Sequence, residues 1–404
     1  MQTPQKRIGI LTFHAQLNYG GVLQAVASQE VLKRLGYEPL IIDRWLSPNN
    51  APLLGPFTKG LPWKRHLYHL LGALMGCGII SLALRCLKTI AFLRRYTQRT
   101  PYHFNQWAEI AGKDLGIDAY TVGSDQVWHG GSWGDPRPYL LEGAPKLPAI
   151  TYAASFGMRA IPENLRNAFK AGLPRFNAIS VREADAIPLV EAFGAKATHV
   201  VDPSQLLTAE QWRAALRLQT PKPRKRPRLV CYFLDENYRD HLEALEAFAR
   251  KMGAEVDVIV NSACCAVPKR PAQLLAHLRW LWSRATATRH VHLRGSADPR
   301  DFVATFDQAT WALSDSFHAL MFSSLFKKNI RFLRPHSEMR QAMFSRITGF
   351  AERHVEGPLM AEDVPAALAS FEKGETVTFN EESLAQARAA SEAWLREALA
   401  KALP

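Results

Sequence analysis

The feature that most narrows what this chain can become is a repeating unit. A strand-length apolar run leads into a loop of small and polar residues, then a helical pattern, then a second apolar run. The unit opens the chain. Arg7–Thr12 (RIGILT) runs into the loop His14–Gly21, a helical pattern follows over Val22–Leu35, Gly36 stops it, and Pro39–Asp43 (PLIID) is the next strand. Parallel strands need a crossover, and a helix of this length supplies it. The expectation is therefore a doubly wound α/β sheet. Further strands are expected at Ala119–Val122, Ala149–Ala153, Ala178–Val181 and Thr198–Val201, with a helix at Glu183–Phe193.

The pattern then starts again. Residues 219–228 (QTPKPRKRPR) are rich in proline and charge and lack apolar periodicity, so they read as a linker. Strands are expected beyond it at Leu229–Leu234, Glu255–Val260, His290–Leu293, Trp311–Ser314 and Asn329–Phe332. Helices are expected at Tyr238–Met252, Pro299–Ala309, Phe317–Phe326 and, alanine-rich, Glu381–Leu403. The chain has 404 residues, enough for two domains. We expect an N-terminal Rossmann-like domain over 1–218, a second over 229–350 and a helical extension over 351–404.

Charge is unevenly placed. The formal net charge is +13, yet no Asp or Glu occurs between Arg44 and Ala108, where Lys59, Lys64, Arg65, Arg85, Lys88, Arg94, Arg95 and Arg99 lie. Leu67–Leu93 in this window is nearly continuous apolar sequence with basic flanks. Its uncharged core, Leu70–Leu84, is shorter than the roughly 20 residues a spanning helix needs. A helical insertion over about 57–100 is expected, either docking on a membrane surface or packing as a core helix. The basic run Lys222–Arg228 sits among prolines without a nucleic-acid motif, so no nucleic-acid partner is expected.

Met1–Arg7 is polar and Ile8–Phe13 is too short for the apolar part of a signal peptide. The five cysteines, Cys77, Cys86, Cys231, Cys264 and Cys265, have no CxxC or zinc-like spacing. These features predict a cytoplasmic protein, peripheral on the inner face of the cell membrane if the insertion docks there. No metal and no resident cofactor are expected. HExxH, EF-hand, GxSxG and P-loop patterns do not occur.

Four loops at strand ends carry the candidate site residues. Asn18, Gly20 and Gly21 follow the first strand, where glycines admit close backbone approach and a helix start offers N–H groups; plain turn glycines are the other reading. Ser124 and Asp125 in Gly123-Ser-Asp-Gln-Val-Trp128 are placed to hydrogen-bond a ligand hydroxyl or a histidine, or to cap a helix. Arg182 in Ser180-Val-Arg-Glu183 suits a carboxylate or phosphate, or pairs with Glu183 or Asp202. Ser314-Asp-Ser-Phe-His318 ends a strand and begins an apolar helix. His318 there is either a proton-exchanging group or a satisfied buried histidine.

Six stretches in this order resemble the polysaccharide pyruvyl transferase family. They are Asn18-Tyr-Gly-Gly-Val-Leu-Gln24, Gly123-Ser-Asp-Gln-Val-Trp128, Ile150-Thr-Tyr-Ala-Ala-Ser-Phe-Gly157, Ser180-Val-Arg-Glu183, Asp202-Pro-Ser-Gln-Leu-Leu-Thr208 and Ser314-Asp-Ser-Phe-His318. The resemblance implies a fold like the glycosyltransferases with two Rossmann-like domains facing across a cleft (GT-B-like). It implies phosphoenolpyruvate as donor, a glycan or lipid-linked sugar as acceptor, and a pyruvate ketal as product. By resemblance His318 is the acid/base and Arg182 a donor anchor. Asp125 and Ser124 orient substrate or His318, and Asn18, Gly20 and Gly21 line the opposite wall. Some members carry arginine two residues before the histidine; here that position is Ser316. The donor phosphate is then expected at backbone N–H groups around Ser316, or at Arg294 or Arg346. Two competing expectations are a nucleotide-sugar glycosyltransferase of the same architecture and a non-catalytic glycan- or lipid-binding protein.

Overall fold

The computed structural model describes residues 5–44, 79–104, 107–130, 135–261, 290–336, 341 and 343–403. Among these, two parallel sheets organise the molecule. In the first lie β1 (Arg7–Leu11), β2 (Glu38–Arg44), β3 (Arg99–Phe104), β4 (Ala119–Val122) and β5 (Ala149–Thr151), ordered β3-β2-β1-β4-β5. The short strands β6 (Ser180–Val181) and β7 (Thr198–His199) pair in parallel, and bridges Ile150–Ala178 and Ala154–Val181 join them to the outer edge of that sheet. The second sheet comprises β8 (Arg228–Tyr232), β9 (Glu255–Ile259), β10 (Val291–Arg294), β11 (Trp311–Ser314) and β12 (Asn329–Leu333). Next come β13 (Val355–Glu356) and β14 (Met360–Ala361), of which β14 joins the sheet and β13 does not, giving the order β10-β9-β8-β11-β12-β14. A final strand, β15 (Thr378–Phe379), pairs antiparallel with β13.

Both orders run outward in one direction from the first strand and then reverse. That is the doubly wound arrangement, whose ligand crevice opens at the carboxyl ends of the strands flanking the reversal. Here the reversals lie between β1 and β4 and between β8 and β11. Helices on both faces make the central strands near-continuous apolar runs; β4 is buried at every residue and β8 at all but its first.

The helices fall between strands as the sequence pattern requires. They are α1 (Tyr19–Arg34), α2 (Ile79–Tyr96), α3 (Glu163–Gly172), α4 (Ile187–Glu191), α5 (Ala209–Ala215), α6 (Leu242–Met252), α7 (Pro299–Gln308), α8 (Phe317–Leu325), α9 (Ser345–His354), α10 (Val364–Glu372) and α11 (Glu381–Ala402). Helix α1 starts three residues earlier than its apolar pattern, because the Asn18 side chain caps it by accepting from the Gly20 N–H. Lys33 and Arg34 close its last turn, and Gly36 ends it with φ +91°.

Residues 57–78 of the expected insertion lie outside the described residues. The rest forms α2, which packs Leu82, Cys86, Phe92 and Leu93 into the core and leaves Leu84 and Leu87 exposed. Among the described residues no helix is long and apolar enough to cross a membrane.

One expectation changes at the C-terminal end. The stretch after residue 350 is not purely helical, since β14 extends the second sheet. Helix α11 then returns to the first half. Ser391 Oγ accepts from the Val201 N–H at 3.0 Å, Arg388 donates to the Gln205 carbonyl at 2.7 Å, and Trp394 lies 6.3 Å from the Tyr152 ring. This helix straps the two halves together.

Candidate active site

The first wall comes from β4 and the loop after it. Gly123 has φ +113°, and a Cβ there would meet the Tyr152 carbonyl at 2.3 Å, so only glycine fits. Asp125 follows with φ +59°, uncommon for a residue with a side chain. What holds the loop is packing just beyond it. Trp128 is fully buried against Phe156, Phe169 and Phe176, and its indole N–H donates to the Tyr139 carbonyl at 3.2 Å. The Ser155 and Val127 N–H groups both donate to the Asp125 carbonyl. The Asp125 carboxylate is directed at the start of α1, where a Cβ on Gly21 would lie 3.0 Å from Oδ2.

The next two strand ends supply a charge pair. Arg182 follows β6 and Asp202 lies just past β7, and parallel pairing of these strands sets them side by side. Arg182 Nη1 donates to Asp202 Oδ2 at 3.0 Å, so the pairing reading of Arg182 holds. Glu183 is the second neighbour, at 3.6 Å from Nε. Asp202 also accepts from Ser124 Oγ at 3.0 Å and from the Ser204 N–H at 2.9 Å. Burial alone would raise its pKa, but His318, Arg182 and the Ser204 N–H outweigh burial and hold it below the usual carboxylate value. Arg182 is not used up by this pair, because Nε and Nη2 have no hydrogen-bond partner although the residue is 4% exposed.

The second wall is the turn from β11 into α8. Ser314 Oγ donates to the Tyr232 carbonyl and accepts from the Ser316 N–H, which ties the turn to β8. The Asp315 carboxylate accepts from the Leu234 and Asp235 N–H groups, both at 2.6 Å, and thus fixes the neighbouring loop. Ser316 is the extended residue just before α8 and makes no side-chain capping bond, and His318 stands in the first turn.

The His318 ring lies on Gly20: a Cβ at Gly20 would fall 2.0 Å from Nδ1. The far nitrogen, Nε2, is buried without a hydrogen-bond partner, 3.8 Å from Asp202 Oδ2. Burial depresses the His318 pKa below 6.5; Asp202 and Asp125 oppose that, while Arg182 and Arg346 add to it. A satisfied structural histidine would have both nitrogens engaged; here Nε2 is not.

Beside the Arg182–Asp202 pair is a cavity of about 220 Å³. It is lined by Arg182, His199 and Asp202 of the first half, Phe317, Arg346, Arg353 and His354 of the second, and Ala387 and Ser391 of α11. The Phe317 ring carries two guanidinium groups, from Arg182 and Arg346, each 5.0 Å from its centroid.

Of the sequence candidates, Asn18, Gly20, Gly21, Ser124, Asp125, Arg182, Ser316, His318 and Arg346 lie in or beside the contacts around His318, Phe317 and Asp202. Arg294 does not. It ends β10, the outer strand beyond β9, and its Nε donates to Asp257 at 2.8 Å. In the sequence Asp202 was a possible partner of Arg182 and the first residue of a family-like stretch; its approach to His318 was not legible. Among the described residues no group of three His, Cys, Asp or Glu side chains is placed to hold a metal ion.

The family model for polysaccharide pyruvyl transferase matches residues 18–337. No curated protein matches the chain. Solved structures similar to it include the UDP-GlcNAc 2-epimerase of Neisseria meningitidis bound to UDP-GlcNAc, at 11% identity and TM-score 0.49, covering 98% of this chain and 100% of that one. The UDP-GlcNAc 2-epimerase of Methanocaldococcus jannaschii matches at 9% identity and TM-score 0.48, covering 92% of each chain. Acinetobacter baumannii MurG matches at 10% identity and TM-score 0.39, covering 96% of this chain and 95% of that one.

Proposed function

We propose, because this chain belongs to the polysaccharide pyruvyl transferase family, that it transfers the three-carbon unit of phosphoenolpyruvate to hydroxyls of a glycan or lipid-linked sugar and forms a pyruvate ketal. The observation that carries the reading is His318 Nε2, buried and unpartnered, 3.8 Å from the Asp202 carboxylate.

The chemistry needs a proton for C3 of the enol, a base for the attacking hydroxyl, and cations for carboxylate and phosphate. A depressed His318 pKa makes the imidazolium a stronger acid. An arriving anionic donor raises that pKa again, so the proton is taken up when the donor is present. His318 then protonates C3, and C2 becomes an oxocarbenium-like electrophile. A sugar hydroxyl adds to C2 and gives its proton to Asp125, which lies at the mouth of α1. Breaking the C2–O bond releases phosphate, a second hydroxyl adds to C2, and the ketal closes. Of the two hydroxyl protons, one replaces that given by His318 and one leaves with phosphate. Asp202 stabilises the imidazolium, Ser124 fixes Asp202, and Arg182 Nη2, which has no hydrogen-bond partner, is available to the donor.

The test is transfer of carbon-labelled phosphoenolpyruvate into glycan or lipid-linked sugar of a membrane extract, with phosphate release. We expect acid-labile label with the wild type and a loss of roughly 10²–10⁴-fold with His318→Ala. No transfer by folded wild type, with stabilisation by a nucleotide-sugar instead, overturns the reading in favour of a glycosyltransferase. Unchanged transfer by His318→Ala removes His318 from the chemistry.

A further inference from the structure

The cavity beside Arg182 has a composition that calls for a small anion. Among its described lining residues are three guanidinium groups, Arg182, Arg346 and Arg353, and two imidazoles, His199 and His354. Against them stands one carboxylate, Asp202, already engaged by Arg182, Ser124 and Ser204. Arg182 and Arg346 each lie 5.0 Å from the centroid of the same Phe317 ring, so two guanidinium groups reach the cavity beside one aromatic side chain. Arg353 has no carboxylate partner among the described residues; its Nε bonds only the Gly349 carbonyl one turn back. At about 220 Å³ the space is smaller than the roughly 300–1,000 Å³ of pockets that hold drug-sized ligands.

We propose that this cavity is a phosphate site in which Arg353 and His199 complete the grip begun by Arg182 and Arg346, and that it receives the phosphate of the donor. The second clause rests on the donor reading above; the first does not. The site answers a gap in the sequence. Ser316 stands where some members of the family have arginine, and the missing cation is here replaced from another element, α9. Position supports the assignment. Asp202 and Arg182 line the cavity and also meet at 3.0 Å next to His318, so a phosphate there lies one side-chain pair away from the acid. The walls come from β6, β7, α8, α9 and α11, so both halves and the strap must be docked for the site to exist. Burial and the Arg353 charge push the His199 pKa down to about 4, and the ring also hydrogen-bonds the Arg182 backbone; an arriving phosphate favours the protonated ring, which has a second N–H to donate.

The experiment is calorimetric titration of the full chain with inorganic phosphate and, separately, with phosphoenolpyruvate. It compares wild type with Arg353→Gln, His199→Gln and Ala387→Phe. Arg353 is exposed and Ala387 lies on the half-exposed side of α11, so these variants keep the fold; the phenyl ring fills the cavity without removing a charge. We expect phosphate affinity to fall about tenfold in Arg353→Gln and to vanish in Ala387→Phe, with phosphoenolpyruvate affinity following. Wild-type phosphate affinity in all three variants overturns the cavity assignment, and so does a wild type that does not bind phosphate. Pyruvyl transfer is scored separately. Transfer with unaltered phosphate binding in the variants removes the cavity and keeps the donor reading. Variant-sensitive phosphate binding without transfer keeps the cavity and removes the donor.

Discussion

Gly20 and His318 are in direct contact: the imidazole occupies the space a side chain at Gly20 would need, with Nδ1 2.0 Å from the position of a Cβ. Neither residue can be understood from its own half of the chain. The glycine is required because a ring from the other sheet lies on it. We expect Gly20→Ala to fold, since α1 tolerates alanine, and to displace His318 from the Asp202 side. A misplacement of about 1 Å typically costs about 100-fold in rate. Measured transfer within threefold of wild type would show that the ring has room to move without consequence.

Asp202 couples three groups, so its loss is expected to show in two readouts. In Asp202→Asn the Arg182 guanidinium stays buried with its nearest counter-charge gone. Breaking such a pair costs about 3–5 kcal/mol, readable from denaturant midpoints. Removing the negative charge also takes away the largest influence raising the His318 pKa. The pH at which the acid form is half populated then moves down, and the alkaline limb of the rate profile moves down with it. A variant with lowered stability but an unmoved pH profile would make Asp202 a purely structural partner of Arg182.

How far the sequence foretold this site follows from what is local. Each of Gly20, Ser124, Arg182 and His318 ends or follows a strand, and strand ends are visible as a break in an apolar run. Strand order is not visible, because it depends on which strands pair. Arg294 sits at a strand end like the others, yet β10 is the outermost strand of the second sheet and Asp257 on β9 holds its guanidinium. The Asp202–His318 approach has the same non-local origin. Strand β3 (RTPYHF) escaped notice because Pro101 and three consecutive exposed residues break its alternation, as an edge strand allows. Arg353 and His199 gave no signal, being ordinary residues of an amphipathic helix and a short strand.

Four buried or half-buried histidines, His129, His199, His318 and His354, all have pKa values lowered from 6.5, in each case first by burial. The unfolded chain therefore binds more protons than the folded one between the folded values and 6.5. Their stabilising contribution is present above about 6.5 and is lost as pH falls towards about 4, the value for His199. We expect the melting temperature to fall by several degrees from pH 7 to pH 5. A bound phosphate in the cavity should oppose part of that fall, because it favours charged His199. A flat profile over this range would mean that these rings are hydrated in solution.

The last expectation concerns Arg85, an arginine with no exposed surface on a helix whose sequence reads equally as membrane-docking or core. Its guanidinium donates to the Val260 carbonyl in one half and the Leu17 carbonyl in the other, and lies 4.3 Å from the Tyr19 ring. Tyr19 in turn stacks on Phe302 and donates to the Ala297 carbonyl. Leu17 immediately precedes the Asn18 cap, so this buried charge holds the loop that carries Gly20. In Arg85→Leu two buried carbonyls lose their donor, at about 1–3 kcal/mol each. Stability is expected to drop by that order, and transfer to fall more than in a surface control such as Lys88→Ala, because the Gly20 wall then moves relative to His318. Arg85→Lys, which keeps one donor but not the fork, should lie between. Full activity in a destabilised Arg85→Leu would confine Arg85 to packing and separate α2 from the geometry of the site.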